Sequence, residues 1–104
     1  MGFLSFLGLG SNKIKQALKN GAVVIDVRTA NEFDSGRVPD SLNIPVDRVT
    51  VNVQRIKQMN KPVVCCCASG ARSSQAVAVL KANGITETYN GGSWMNVLKL
   101  QRKL

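Results

Sequence analysis

Three consecutive cysteines, Cys65-Cys66-Cys67, run directly into Ala68-Ser69-Gly70-Ala71-Arg72-Ser73, and no other stretch of the chain is as well equipped for chemistry. Small residues at 68–71 let successive backbone N–H groups turn inward as an anion nest, and a helix starting near Arg72 or Ser73 adds its positive end. A thiol at the entrance of such a nest is expected to ionise near neutral pH, which makes Cys67 the candidate nucleophile. Arg72 is its candidate cationic companion: a cation at a helix N-terminus opposes the dipole, and a role facing the site explains its position. Imidazole plays no part, because the chain contains no histidine. That removes the commonest general base, Ser-His-Asp and Cys-His pairs and every Cys/His zinc site, and neither a metal nor a cofactor is expected.

The elements that must position this loop follow from periodicity. Val63 to Cys66 is continuously apolar, as in a strand covered on both faces of a parallel sheet, and the helix after the loop runs through Ala76, Val77 and Leu80 to Asn83-Gly84. Ala22-Val23-Val24-Ile25 is a second such strand, ending at Asp26. Thr29-Ala30-Asn31-Glu32 has capping-box spacing and starts a short helix that stops near Gly36. Leu42-Asn43-Ile44 reads as a brief strand closed by Pro45, followed by a helix around Val53, Ile56 and Met59 that exits over residues 60–62. Glu87 to Tyr89 reads as a short strand before Asn90-Gly91-Gly92, and Trp94, Val97 and Leu98 mark a final helix. Ahead of all this, a helix capped by Ser11 carries Ile14, Ala17 and Leu18 inward and ends at Asn20-Gly21. Alternating strands and helices of this kind make an α/β domain, in which ligands bind beyond the carboxyl ends of the strands; here those ends carry Asp26, Cys67 and Asn90.

With 104 residues there is one core and one domain, over 11–104, preceded by an apolar segment 1–10. That segment lacks a basic start and is broken by Ser5, Gly8 and Gly10, so it is read as a short helix or strap packed on the domain rather than a signal peptide or membrane span. The myristoylation pattern fails because Phe6 occupies the hydroxyl position. Adjacent cysteines cannot form a spaced disulfide framework, which favours a reducing, cytoplasmic setting. The net charge of +8 draws anions of some kind: a small oxyanion, an acidic protein or RNA.

The stretch Lys61-Pro62-Val63-Val64-Cys65-Cys66-Cys67-Ala68-Ser69-Gly70-Ala71-Arg72-Ser73 resembles the active-site segment of the single-domain rhodaneses, a sulfurtransferase family, with its Cys-x-Ser-Gly-x-Arg-Ser loop. The blocks Val24-Ile25-Asp26-Val27-Arg28 with Glu32-Phe33, Gly36-x-Val38-Pro39, Asn43-Ile44-Pro45 and Gly91-Gly92 near Trp94 occur in the family order. The resemblance implies a three-layer rhodanese-like fold with a parallel sheet of four to five strands. It also implies sulfur transfer through a Cys67 persulfide, from a small anionic donor such as thiosulfate or a persulfide to cyanide, a thiol or a protein acceptor. In that reading Ala68, Ser69, Gly70, Ala71 and Ser73 form the anion-binding loop with Arg72 beside it. Arg37 and Asp40 depart from the His and Gly common in the family, so the approach to the loop should be more basic and differently turned.

Other assignments are structural. Cys65 and Cys66 read as small buried hydrophobes, and strand alternation sends neighbouring thiols to opposite faces. Asp26 and Arg28 read as an ion pair bracing loops, with Glu32 capping Thr29 and pairing with Arg28. Gly91 and Gly92 allow close backbone approach beside the loop, Trp94 is a core residue, and Lys99, Arg102 and Lys103 form a solvated helix end, so nucleic acid is not the expected partner. Two other functions stay open. One is a non-catalytic rhodanese-like module that binds a protein or RNA through its basic face. The other is a phosphatase- or arsenate-reductase-like enzyme using Cys66, whose five intervening residues before Arg72, one more than for Cys67, fit the pattern of those enzymes, although Cys65 stands where they usually have His.

Overall fold

The computed structural model describes the backbone of residues 2–104 and side chains from residue 10 onward. Helix α1 spans Gly2–Lys19, followed by β1 (Val23–Asp26), α2 (Ala30–Ser35), β2 (Leu42–Asn43) and two short 3-10 turns over 46–52. Then come α3 (Val53–Gln58), β3 (Val63–Cys67), α4 (Ala71–Ala82), β4 (Thr88–Ser93) and α5 (Trp94–Gln101). The sheet has four strands in the order β2-β1-β3-β4, all parallel, within the four to five anticipated.

Strands β1, apolar up to its terminal Asp26, and β3, apolar throughout, are covered on both faces, as their composition requires. Ile25, Cys65 and Cys67 project to one side, into a cluster with Val53, Ile56, Ala76 and Leu80 from α3 and α4. Val24, Val64 and Cys66 project to the other, against Ile14, Ala17 and Leu18 of α1 and Val97 and Leu100 of α5. These two clusters are the interfaces of a three-layer α/β fold. No helix among the described residues is long and apolar enough to cross a membrane.

Three boundaries differ from the sequence reading. The first helix does not begin at Ser11 but is continuous from Gly2. Gly8, Gly10 and Ser11 fail to punctuate it because single glycines cost a helix only about 1 kcal/mol each. Whether the segment 1–10 packs on the domain lies outside the described side chains. The last strand extends past Tyr89 through Asn90-Gly91-Gly92 to Ser93. Its register slips between Cys65↔Asn90 and Cys67↔Ser93, so an extra residue bulges out at the glycine pair instead of ending the strand. Lastly, Cys67 is the final residue of β3 and lies in the central strand itself.

Asp40 takes the left-handed conformation, with φ of 65°, between Pro39 and Ser41. The side chain that departs from glycine here keeps a glycine-like backbone, which Asp tolerates better than most residues.

Candidate active site

The chain leaves β3 at Cys67 and enters α4 at Ala71, so three residues must reverse the backbone into a helix. Gly70 makes the turn with φ of 106°, a backbone conformation that L side chains rarely adopt. The turn aims donors at one atom. The Gly70 N–H donates to Cys67 Sγ at 3.0 Å and the Ser73 N–H at 3.4 Å, with Ser73 Oγ 3.5 Å away. The thiol itself is fully buried at the floor of the loop.

Its ionisation reflects two opposed effects. Burial pushes the Cys67 thiol up, but the Ser73 hydroxyl and the amides of Ser73, Gly70 and Ser69 outweigh it and bring the pKa down to about 7. The neighbouring thiols are driven the other way. Cys65 is pushed up to about 12 by burial and by the adjacent Cys67, and burial beside Asp26 pushes Cys66 up as well. Cys66 also faces the α1 and α5 side of the sheet, away from the converging amides. All three cysteines are free. Of the three thiols, Cys67 alone is lowered and has amide donors directed at its sulfur.

Ser73, counted only as a loop residue in the sequence, is tied to the last strand. Its Oγ lies 2.7 Å from Asn90 Oδ1, which also accepts the Gly92 N–H at 2.9 Å, while Asn90 Nδ2 donates to the Gly70 carbonyl at 3.1 Å. Asn90 thus fastens the loop to β4. The sequence reading placed it at a strand end but gave it no role; the available signal was the parallel topology, which puts that end beside the loop. Gly91 is needed for packing, since a Cβ there would come within 2.6 Å of Val97 Cγ2 and 2.8 Å of Val64 Cγ1.

Glu32 differs from expectation, and Arg72 is the reason. The Arg72 guanidinium grips Glu32 with two bonds, to Oε1 at 2.8 Å and Oε2 at 3.0 Å. The physical reason is the dipole argument itself: a cation in the first turn of α4 is unfavourable until an anion balances it. Glu32 caps α2 as anticipated, accepting the Thr29 N–H at 3.0 Å, but its carboxylate pairs with Arg72 and not with Arg28. Held chiefly by Arg72 and then by the Thr29 amide, that carboxyl is lowered to about 2.

Asp26 and Arg28 form the bracing pair foreseen. Arg28 Nη2 lies 2.6 Å from Asp26 Oδ2, both residues are buried, and the guanidinium also donates to the carbonyls of Glu32 at 3.2 Å and Gly36 at 2.6 Å. It stacks over Trp94, 4.9 Å from the ring centroid, and Trp94 in turn packs against the α1 and α5 cluster. Among the described residues no buried side-chain polar atom lacks a partner. Ala68, Ser69 and Ala71 are exposed on the rim, which carries no charged side chain of its own. A cleft of about 490 Å³ adjoins the loop, between Ser69, Gly70 and Ser74 on one side and Gly10, Ser11 and Asn96 on the other.

Comparison with known proteins identifies the family and the fold. Residues 11–97 match the family described as Rhodanese-like domain. The chain is 34% identical over 76 residues to the thiosulfate sulfurtransferase GlpE of Pseudomonas savastanoi, covering 72% of this chain and 71% of that protein. It is 32% identical over 84 residues to a protein named sulfurtransferase from Allochromatium vinosum, covering 79% and 78%. Among solved structures, a rhodanese-like domain protein from Staphylococcus aureus superposes with a TM-score of 0.69 and 30% identity over 85% of this chain and 86% of that one.

Proposed function

The chain belongs to the rhodanese-like domain family, and from that premise we propose that it is a sulfurtransferase that carries sulfane sulfur as a persulfide on Cys67. The observation that carries the reading is the convergence of the Gly70 and Ser73 amides on the Cys67 sulfur. Relatives named sulfurtransferase and thiosulfate sulfurtransferase support the reaction class.

With thiosulfate as donor, the Cys67 thiolate attacks the outer sulfur, a new S–S bond forms, and the sulfur–sulfur bond of thiosulfate breaks with its electron pair leaving on sulfite. The product is an anionic persulfide, and the same amides that hold the thiolate are placed to hold it. An acceptor thiolate or cyanide then attacks the outer persulfide sulfur, takes it as a persulfide or thiocyanate, and returns the Cys67 thiolate. No oxidant, metal or cofactor enters the balance. Because the thiol is fully buried, donor and acceptor reach it only when the 68–71 rim yields, and the small side chains there make that displacement easy. Arg72, held by Glu32, sits in the first turn of α4 directly after the loop and supplies a cation to a dianionic donor.

The test is thiocyanate formation from thiosulfate and cyanide. Wild type should turn over, Cys67→Ser should fall to background, and Cys66→Ser should retain most of the rate. Phosphate-ester hydrolysis lost in Cys66→Ser and kept in Cys67→Ser would transfer the assignment to a phosphatase-like enzyme.

A further inference from the structure

The Ser73 hydroxyl has one hydrogen and three groups able to accept it: Asn90 Oδ1 at 2.7 Å, the Gly70 carbonyl at 3.1 Å and Cys67 Sγ at 3.5 Å. The orientation of the Asn90 amide is fixed by its other bonds. Its oxygen takes the Gly92 N–H and its nitrogen donates to the Gly70 carbonyl, so the oxygen must face Ser73. An amide oxygen cannot donate, and the 2.7 Å contact is a hydrogen bond only while the Ser73 hydrogen points at Asn90. The nearest acceptor thus competes with the sulfur for the same hydrogen.

We propose that Asn90 is a positioning residue for Cys67, which draws the Ser73 hydrogen away from the sulfur while the thiol is protonated and releases it when the thiol ionises. The proposal rests on Cys67 being the nucleophile. In the thiol state the Cys67 S–H donates to Ser73 Oγ and Ser73 donates to Asn90, so each hydrogen has an acceptor. On ionisation the S–H bond breaks, its electron pair stays on sulfur and the proton passes to solvent. The Ser73 hydroxyl then rotates to the sulfur, and Asn90 Oδ1 keeps the Gly92 N–H. Asn90 therefore stabilises the protonated state and sets how readily the nucleophile is unmasked.

The other ionisable groups around the sulfur are separate from this relay. They are Cys65 and Cys66 on β3, Arg72 on α4 with Glu32 of α2, and Asp26 with Arg28 at the end of β1. Among the described residues, none of these bonds to Ser73 or Asn90 through its side chain.

The experiment is the pH dependence of iodoacetamide alkylation at Cys67, followed by intact mass on the full chain in wild type, Asn90→Ala, Ser73→Ala and the double variant. Removing the competing oxygen should move the midpoint down by about one pH unit, the worth of one hydrogen bond to a charged atom. In the Ser73→Ala background the same Asn90→Ala change should produce no shift. An equal shift in both backgrounds, an upward shift or none in the wild-type background would overturn the proposal. Should Asn90→Ala not fold, Asn90→Asp keeps the oxygen and adds charge. Its upward shift must shrink in the Ser73→Ala background, and a shift unchanged there would overturn the proposal equally. The readout uses no sulfur donor, so failure of the relay and failure of sulfur transfer are told apart.

Discussion

The Arg72 guanidinium meets the Glu32 carboxylate through two parallel bonds, 2.8 and 3.0 Å long, joining the first turn of the loop helix α4 to the first turn of α2 across forty positions of sequence. The pair neutralises a cation that would otherwise oppose the α4 dipole, and it ties the helix that follows the sulfur loop to α2.

Separating the pair should therefore change donor binding in opposite directions. Arg72→Gln is expected to raise KM for thiosulfate about tenfold, and Glu32→Gln, which leaves Arg72 unbalanced, to lower it severalfold. Steady-state kinetics at low salt measures both. The same pair gives a pH signature. The Glu32 carboxyl is lowered from the usual 4.5 to about 2, so its stabilising effect is full above about pH 4.5 and is lost as pH falls through about 2. The stability gap between wild type and Glu32→Gln should narrow across that window in denaturant titrations.

Cys67, brought down to about 7, should show a sulfur-loading rate that climbs through pH 7 and levels off above about pH 8. At pH 8 the native protein should take up one alkyl group, because all three thiols are buried but only Cys67 is lowered toward ionisation while Cys65 and Cys66 are raised, and the unfolded protein three. Mass spectrometry counts the adducts. Two adducts on the native protein would contradict the selective ionisation of Cys67.

The lengths of chain that were legible in the sequence are those where one interaction dominates. Residues 22–25 and 63–66 read as strands because nothing but two-sided burial suits so continuous an apolar run, and the observed strands lie within one residue of those bounds; the strand-loop-helix fusion at Cys67 followed from small residues before a helical period. What escaped depends on tertiary partners. The Arg72–Glu32 bond is invisible locally, so Glu32 was assigned to the nearer Arg28. Asn90 before two glycines reads as a turn, and only the bulge in β4 turns it into a clamp on the loop.

Asp26→Asn keeps the side-chain shape but leaves the buried Arg28 charge unbalanced. It should cost about 3–5 kcal/mol, read from urea unfolding, and should loosen the segment 28–36 whose carbonyls Arg28 holds.

Gly91→Ala would force a methyl against Val97 and Val64, side chains that themselves fill the α1 and α5 interface. A loss of about 1–3 kcal/mol is expected in the same assay. An unchanged midpoint would mean that the bulge can shift outward.

The central claim is tested most directly by fragmentation mass spectrometry of the peptide spanning Cys65-Cys66-Cys67 after incubation with thiosulfate. One sulfur atom, about 32 Da, localised to Cys67, removed by cyanide and missing from Cys67→Ser, is the result expected of a persulfide carrier. Sulfur found on Cys66 or Cys65, or no added sulfur from either thiosulfate or a small persulfide donor, would contradict it.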